Sequence, residues 1–527
     1  MPEPPSYPGV HVEEVGSAVR VIPAVATSTT AFVGRAWRGP VDVPVRITGL
    51  AEFERVFGGD WAPAPMARAV RLYFENGGAV ALIVRVATRE GAGRAQQAVI
   101  ALVGGLSLVA ASPGTWGRNL SAQLALPADA AGDPTAFDLV VSDEADATRD
   151  AAGRGGSGVI ERFIGLSLDP ASARFAPDVL ARDSKLVRIA TLPADGQGAV
   201  AGTASADPAS GDDGLPIGAL EVTDAANEAA GTGMYALDVA TGFNLLCLPP
   251  FTPDTADNGD ASWRAAAVFC AARRAVLLMD GPADATAADL VARTQGWQDL
   301  PRDWVAMYHP WLRPADAGAV GAPACVPPSA AMAGLIARTD SQRGVWKAPA
   351  GAEATLRGVR GLCLAGRASG APTEADLADL NHAGICPLRF LPGGRSIVPW
   401  GTRTLAGATG SGSLGAYLPV RRTAAMIETS LQQGTAWAAF EPNGEPLWAA
   451  LRLAVGNFLH VLFRQGAFQG ATPQQAFYYR CDASTHTASD IAQGRVHLEV
   501  GFAPLRPAEF VILRLDLAAL PADPPTP

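Results

Sequence analysis

Between residues 241 and 400 the chain alternates apolar runs with helical patterns, and no other feature limits its fold so tightly. FNLLCLP, AVLLMDGP and WVAMYHPW read as strands; SWRAAAVFCAARR, TAADLVARTQGW and PSAAMAGLIARTD read as helices. A helix between successive strands returns the chain to the same end of a sheet, so the strands run parallel. Such a sheet is covered on both faces, which makes its strands continuous apolar runs rather than alternating ones. An α/β domain with a mainly parallel sheet is therefore expected. Upstream, AVALIVRV is a further run of this kind. Short helices are predicted over 48–59 and 64–75, stopped by Gly58-Gly59 and by Asn76-Gly77-Gly78.

At 527 residues the chain exceeds one ordinary domain. Residues 1–30 are expected to form an extended arm with one short strand: Pro2, Pro4, Pro5, Pro8 and Pro23 forbid helix around GVHVEEV. Residues 31–103 begin a core. Residues 104–240 carry 19 acidic against 8 basic side chains and the low-complexity run ADGQGAVAGTASADPASGDDG, and read as an inserted, β-rich, outward-facing acidic domain. The α/β region spans 241–400, an α+β C-terminal domain 401–505, and a strand with a tail 506–527. Helix 373–384 has a capping box at Thr373 and Asp376. ICPLRFLPGG, RSIVPWGTRTL and YLPVRR read as strands. After the Asn443-Gly444 turn, Pro446 suits the first turn of a long helix ending at Gly466. Arg452, His460 and Arg464 form one basic stripe on it. AFYYRCD, HLEVGF and EFVILRL close the chain as strands.

A formal charge of −10 argues against a general nucleic-acid or anionic-membrane binder. No apolar run of about 18 residues and no signal peptide is evident, so synthesis into the cytoplasm is expected. None of the six cysteines is CxxC-spaced, and several sit in apolar runs; buried free thiols are expected rather than zinc ligands or disulfides. The six histidines include no HxH or HxxxH pair, so neither metal nor cofactor is expected. GSGSLG at 410–415 fits GxGxxG, but a strand rather than a helix is expected after it, so a plain loop is favoured. Asp280 and His309 end apolar strands, where catalytic residues often stand. No GxSxG accompanies them, and a satisfied carboxylate and a packed imidazole are the plainer reading.

Several segments together resemble the sheath proteins of contractile phage tails and related injection machines. They are YPGVHVEEV, TSTTAFVGRAWRGPVDVPVRITGLAEFERVFGG, NGGAVALIVRV, SPGTWGRNL, PPSAAMAGLIARTDSQRGVWKAPAG, LNHAGICPLRF, WGTRTL, YLPVRR, AFEPNGEPLW, FQGATPQQAFYYRCD and PAEFVILRL, in family order. The resemblance implies a middle domain of subtilisin-like fold without its triad, and a mechanical role. Subunits would stack as six-membered rings around an inner tube, and would contract on a baseplate trigger. Its implied partners are copies of itself, the inner tube, and baseplate and tail-terminator proteins, with no nucleic acid and no membrane insertion. The particle would assemble in the cytoplasm, as a phage tail or a tail-like device released outside the cell. Both ends would join neighbours by strand addition: Val10, Val12 and Val15 at one end, Phe510, Val511, Ile512, Leu513 and Leu515 at the other. Arg452, His460 and Arg464 would face the tube. An α/β hydrolase with accessory β domains, and a non-contractile polymerising shell protein, are the competing readings.

Overall fold

A computed structural model describes residues 20–127, 135–144, 159–194, 197–240, 242–253, 257–318, 323–367, 371–391, 393–394, 396–409 and 414–508. They fall into two compact units, one of residues 28–421 with 506–508 and one that joins 422–505 to the residues before Ser28.

In chain order the first unit opens with β1 (Thr30–Gly34), β2 (Val45–Ile47) and β3 (Ala81–Arg85). Helices Leu50–Phe57 and Met66–Glu75 lie between β2 and β3. Seven strands follow: β4 (Val99–Ala101), β5 (Ser107–Ala110), β6 (Leu120–Ala125), β7 (Ala136–Asp143), β8 (Val159–Ser167), β9 (Val187–Thr191) and β10 (Gly202–Ser205). The chain returns through β11 (Leu245–Cys247), β12 (Val276–Asp280), β13 (Val305–His309), β14 (Trp311–Pro314), β15 (Val359–Cys363), β16 (Ile385–Phe390) and β17 (Ile397–Pro399).

The main sheet has the order β17-β16-β13-β12-β11-β1-β3-β2. Its inner strands are parallel, and β2 and β17 pair antiparallel at the edges. β1 lies between β3 and β11, so residues 30–85 and the later α/β region share one sheet. Continuous runs such as β3 and β12 are buried along their whole length, as a sheet covered on both faces requires.

The seven strands between β3 and β11 build a four-stranded antiparallel sheet, β10-β6-β7-β8, and a three-stranded one, β4-β5-β9. Strict alternation along β7 sends Phe137, Leu139 and Val141 into a core of their own with Trp116 and Leu124. Gln96 and Asp212 exchange both backbone hydrogen bonds, at 2.8 and 2.9 Å, and so form a narrow neck. Residues beyond the neck rejoin the main core, where Ile217, Val222, Met234 and Leu237 pack. Arginines bind the two parts together. Arg85 donates to the carbonyls of Ala36, Gly39 and Pro113, and burial pulls its pKa down to about 10. Arg35 donates to the carbonyls of Asp213 and Gly214. Arg38 and Asp143, 105 residues apart, form an ion pair at 2.9 Å with side chains only 7% and 0% exposed.

Two sequence expectations change. YLPVRR is the start of helix Leu418–Gly434 rather than a strand. Pro419 is tolerated in a first helical turn, and the apolar spacing beyond it is helical. Cys325 and Cys363 form a disulfide across 38 residues, while Cys247, Cys270, Cys386 and Cys481 are buried free thiols. Helix Glu445–Arg464 is long and apolar enough to cross a membrane by length and composition, yet half of that stretch is buried against its own domain. It is the core helix of the second unit.

Candidate functional site

Asp280, at the end of β12, is 4% exposed. Its carboxylate accepts hydrogen bonds from the Ser329 amide at 3.0 Å and the Ser329 hydroxyl at 2.6 Å. Ser329 opens helix Ser329–Arg343, which Pro328 precedes without a side-chain cap. The carboxylate therefore caps that helix from the end of β12, supplying the acceptor that a helix start favours. Burial pushes the Asp280 carboxyl up to about 7, and the two Ser329 hydrogen bonds hold it from rising further. Burial, and to a lesser degree the Asp280 charge, also push the Cys247 thiol well above its usual value.

His309, ending β13, is 2% exposed, and among the described residues neither ring nitrogen has a hydrogen-bond partner. Burial draws its pKa down to about 4, with Asp376 pulling the other way. An activated nucleophile needs a base within hydrogen-bond reach. Here the Ser329 hydroxyl is given to a buried carboxylate, and the imidazole is bonded to neither. The plainer sequence reading fits Asp280, whose bonds are satisfied. His309 is packed, but its nitrogens are left without partners.

In the second unit, residues 20–27 run along helix Leu418–Gly434. Ile22 is buried, and a side chain at Gly434 would meet it at 2.5 Å, so only glycine permits this approach. The Val25 amide donates to Ser430 Oγ at 3.0 Å, and Arg422 donates to the Thr27 carbonyl at 2.8 Å. The Arg20 guanidinium lies 3.9 Å over the Trp437 ring and 3.5 Å from Glu441. No sequence signal marked this root, because a single buried Ile22 makes no periodic pattern. Val10, Val12 and Val15 precede it and lie outside the described residues, as do Phe510, Val511, Ile512, Leu513 and Leu515. Most of the GSGSLG loop lies outside them too.

Helix Glu445–Arg464 starts as the sequence suggests, with Glu445 and Pro446 in its first turn. β18 (Phe477–Arg480) and β19 (Glu499–Phe502) form an antiparallel pair. Phe477 packs edge-on to His460, and the Tyr479 ring meets Gly456 so closely that an added Cβ would lie 2.5 Å from its hydroxyl. The pair is a complete sheet among the described residues, so each strand keeps one edge without a strand partner.

The basic stripe is only partly free. Arg452 is bound to Glu445 and to the Cys481 carbonyl. His460 is exposed beside Phe477, and Arg464 is exposed in the last turn, with Leu453 and Val461 exposed on the same helix. Before the helix, Phe440 is fully exposed and holds a left-handed backbone, with φ 70°.

Residues 412–518 match the family model for the phage tail sheath C-terminal domain. A putative prophage major tail sheath protein of Pseudomonas aeruginosa (strain UCBPP-PA14) is 27% identical over 245 residues. That match covers 46% of this chain and 58% of the relative, less than two thirds of its length. Among solved structures, the contracted sheath of the extracellular contractile injection system PVC is 20% identical, with a TM-score of 0.57 and 97% of each chain covered. The contracted helical sheath of the anti-feeding prophage is 23% identical, with a TM-score of 0.55, covering 97% of this chain and 99% of that one. A sheath tail protein of Listeria innocua is 12% identical, with a TM-score of 0.60, covering 92% and 96%. The resemblance read from the sequence motifs is thus found again in a family domain, a relative and the fold: this chain has the mixed α/β, multidomain fold of contractile-tail sheath proteins.

Proposed function

We propose that this chain is the structural subunit of a contractile sheath, which polymerises with itself as stacked hexameric rings around an inner tube and shortens to drive that tube through a target envelope. The observation that carries the reading is the β18–β19 pair, a two-stranded sheet whose two outer edges have no strand partner among the described residues, inside the region that matches the sheath C-terminal domain. An isolated pair of strands is marginal, and an open edge is a template for another chain. The arm centred on Val10, Val12 and Val15, and the segment Phe510 to Leu515, both read from the sequence as strands, would have a suitable length to add there from neighbouring copies. At roughly 0.5–1.5 kcal/mol net per hydrogen bond, four to six bonds make a firm joint that still swivels at its linker. Head-to-tail joints that do not close give a helical filament.

The subunit acts mechanically, without catalysis or a cofactor. Two packings of the same subunits differ in free energy, and a baseplate trigger releases the higher one. The acidic insertion faces outward. Arg464 and His460, with the exposed Leu453, face the tube; Arg452 braces its own helix. The hydrolase reading is disfavoured by the Asp280–Ser329 pair, which is sealed from solvent and serves a helix start.

Electron microscopy of the expressed protein tests this reading. Long hollow tubes with six-fold cross-sections are expected; flat sheets or closed shells would favour the non-contractile alternative. Removing residues 1–19 spares the Arg20 and Ile22 anchorage and is expected to give a folded, soluble monomer by circular dichroism and sedimentation. Normal tubes from the truncated protein would eliminate the arm as a joint.

The neck gives a second test. Joining Gln96 to Asp212 through an Asn-Gly turn removes both inserted sheets while keeping residues 217–237 in the main core. Tubes of reduced outer diameter are expected. A folded remainder that forms no tubes would place the insertion in the assembly core instead.

A further inference from the structure

Cys325 and Cys363 differ from the other cysteines in both access and position. Cys247, Cys270, Cys386 and Cys481 are all at most 1% exposed. Burial also pushes the thiols of Cys247 and Cys270 upward, which suppresses the thiolate that exchange requires. Cys325 and Cys363 are half-buried, within reach of a small thiol or disulfide. The only disulfide among the described residues therefore joins the two cysteines that solvent reaches.

The bond joins two separate parts of the fold. Cys363 ends β15, paired opposite Trp311 of β14. Cys325 belongs to the segment leading into helix Ser329–Arg343, whose start Asp280 caps. That segment walls an apolar cleft of about 870 Å3 lined also by Trp61, Pro250, Trp311 and Pro327. Its backbone tie to β14 is short, consisting of the two 2.8 Å hydrogen bonds exchanged by Leu312 and Val326. A cross-link beside so short a tie changes local opening far more than one inside a long ladder.

We propose that Cys325 and Cys363 form a redox latch, open as two thiols in a reducing compartment and closed as a disulfide outside it, which fixes the cleft wall and the entry to helix Ser329–Arg343. Closure by oxidised glutathione balances as two exchange steps. One protein thiolate attacks the glutathione disulfide and releases one glutathione thiolate. The second protein thiolate then attacks the mixed disulfide and releases the other. The protein loses two electrons and two protons, and one oxidised glutathione becomes two reduced ones. Closing a loop of this length removes unfolded-state freedom, and the effect grows with loop length. Its use, a subunit assembled reduced in the cytoplasm and stiffened after release, rests on the sheath reading; the latch itself does not.

The test uses the full-length chain, equilibrated with reduced or with oxidised glutathione. Differential alkylation and mass spectrometry should find Cys325 and Cys363 labelled in the reduced sample only, with the four buried thiols protected in both. Hydrogen exchange at the Val326 amide should quicken at least about tenfold on reduction, and melting should fall on the order of 5–10 °C. Cys363→Ser should behave as the reduced protein under both conditions. Two free thiols under oxidising glutathione would overturn the proposal. So would a bond whose reduction leaves both exchange at Val326 and melting unchanged. Neither readout depends on tube formation, so failure here is distinct from failure of the sheath assignment.

Discussion

Replacing Asp143 with alanine is expected to destabilise the first unit by about 3–5 kcal/mol, because it removes the buried carboxylate that the Arg38 guanidinium pairs with at 2.9 Å. Asp143 closes β7 in the inserted domain and is fully buried, and Arg38 follows β1 of the main sheet and is nearly so. Arg38 also donates to the Arg55 carbonyl, so the pair ties β7, the chain after β1 and helix Leu50–Phe57 together. Desolvating two charges is costly, and their attraction offsets that cost only while both are present. Arg38→Met with Asp143→Leu should therefore lose much less than either Arg38→Met or Asp143→Leu alone. Urea unfolding of the four proteins measures the coupling. Single variants that cost under about 1 kcal/mol would show that water reaches the pair.

The parts of this fold that were legible in the sequence are those written locally. A strand covered on both faces must be apolar at every position, and β3 and β12 announce themselves for that reason. Thr373 and Asp376 mark a helix start because both capping partners fall within four residues, and the structure forms both bonds. YLPVRR misled because two turns of a helix and a short strand look alike over six residues. Contacts between distant residues left no mark. Cys325 and Cys363 meet only because β14 and β15 pair, and Arg38 meets Asp143 only because the insertion folds back onto β1. Ser329 looked like any serine beside an apolar helix, and it gains its meaning from an Asp280 that stands 49 residues earlier. The family resemblance was legible in another way, through motifs spread along the chain, one of which includes β18 of the β18–β19 pair.

Asp280 and His309 are expected to hide one another in the pH dependence of stability. The Asp280 carboxyl is raised from 3.8 to about 7 by burial, so the folded state holds a proton that the unfolded chain releases. Its contribution is complete below about pH 4 and is lost as pH rises to about 7. The His309 imidazole is lowered from 6.5 to about 4, so the unfolded chain takes up a proton that the folded state refuses. Its contribution is complete above pH 6.5 and is lost as pH falls to about 4. From about pH 4 to 6.5 the two slopes oppose, each about 1.4 kcal/mol per pH unit at its steepest, and the pair together gives a nearly flat profile. Asp280→Asn keeps an acceptor for the Ser329 amide and removes the carboxyl titration. It should unmask a loss of up to about 3 kcal/mol on acidification from pH 6.5 to 4. His309→Phe keeps a ring and removes the imidazole, and should unmask a loss of similar size in the opposite direction, as pH rises over the same interval. Urea unfolding followed by tryptophan fluorescence at half-unit steps of pH separates the two. If both variants keep profiles parallel to the parent, water reaches these strand ends and the Asp280–Ser329 cap is solvated. If only one slope appears, the silent group titrates as it does in the unfolded chain.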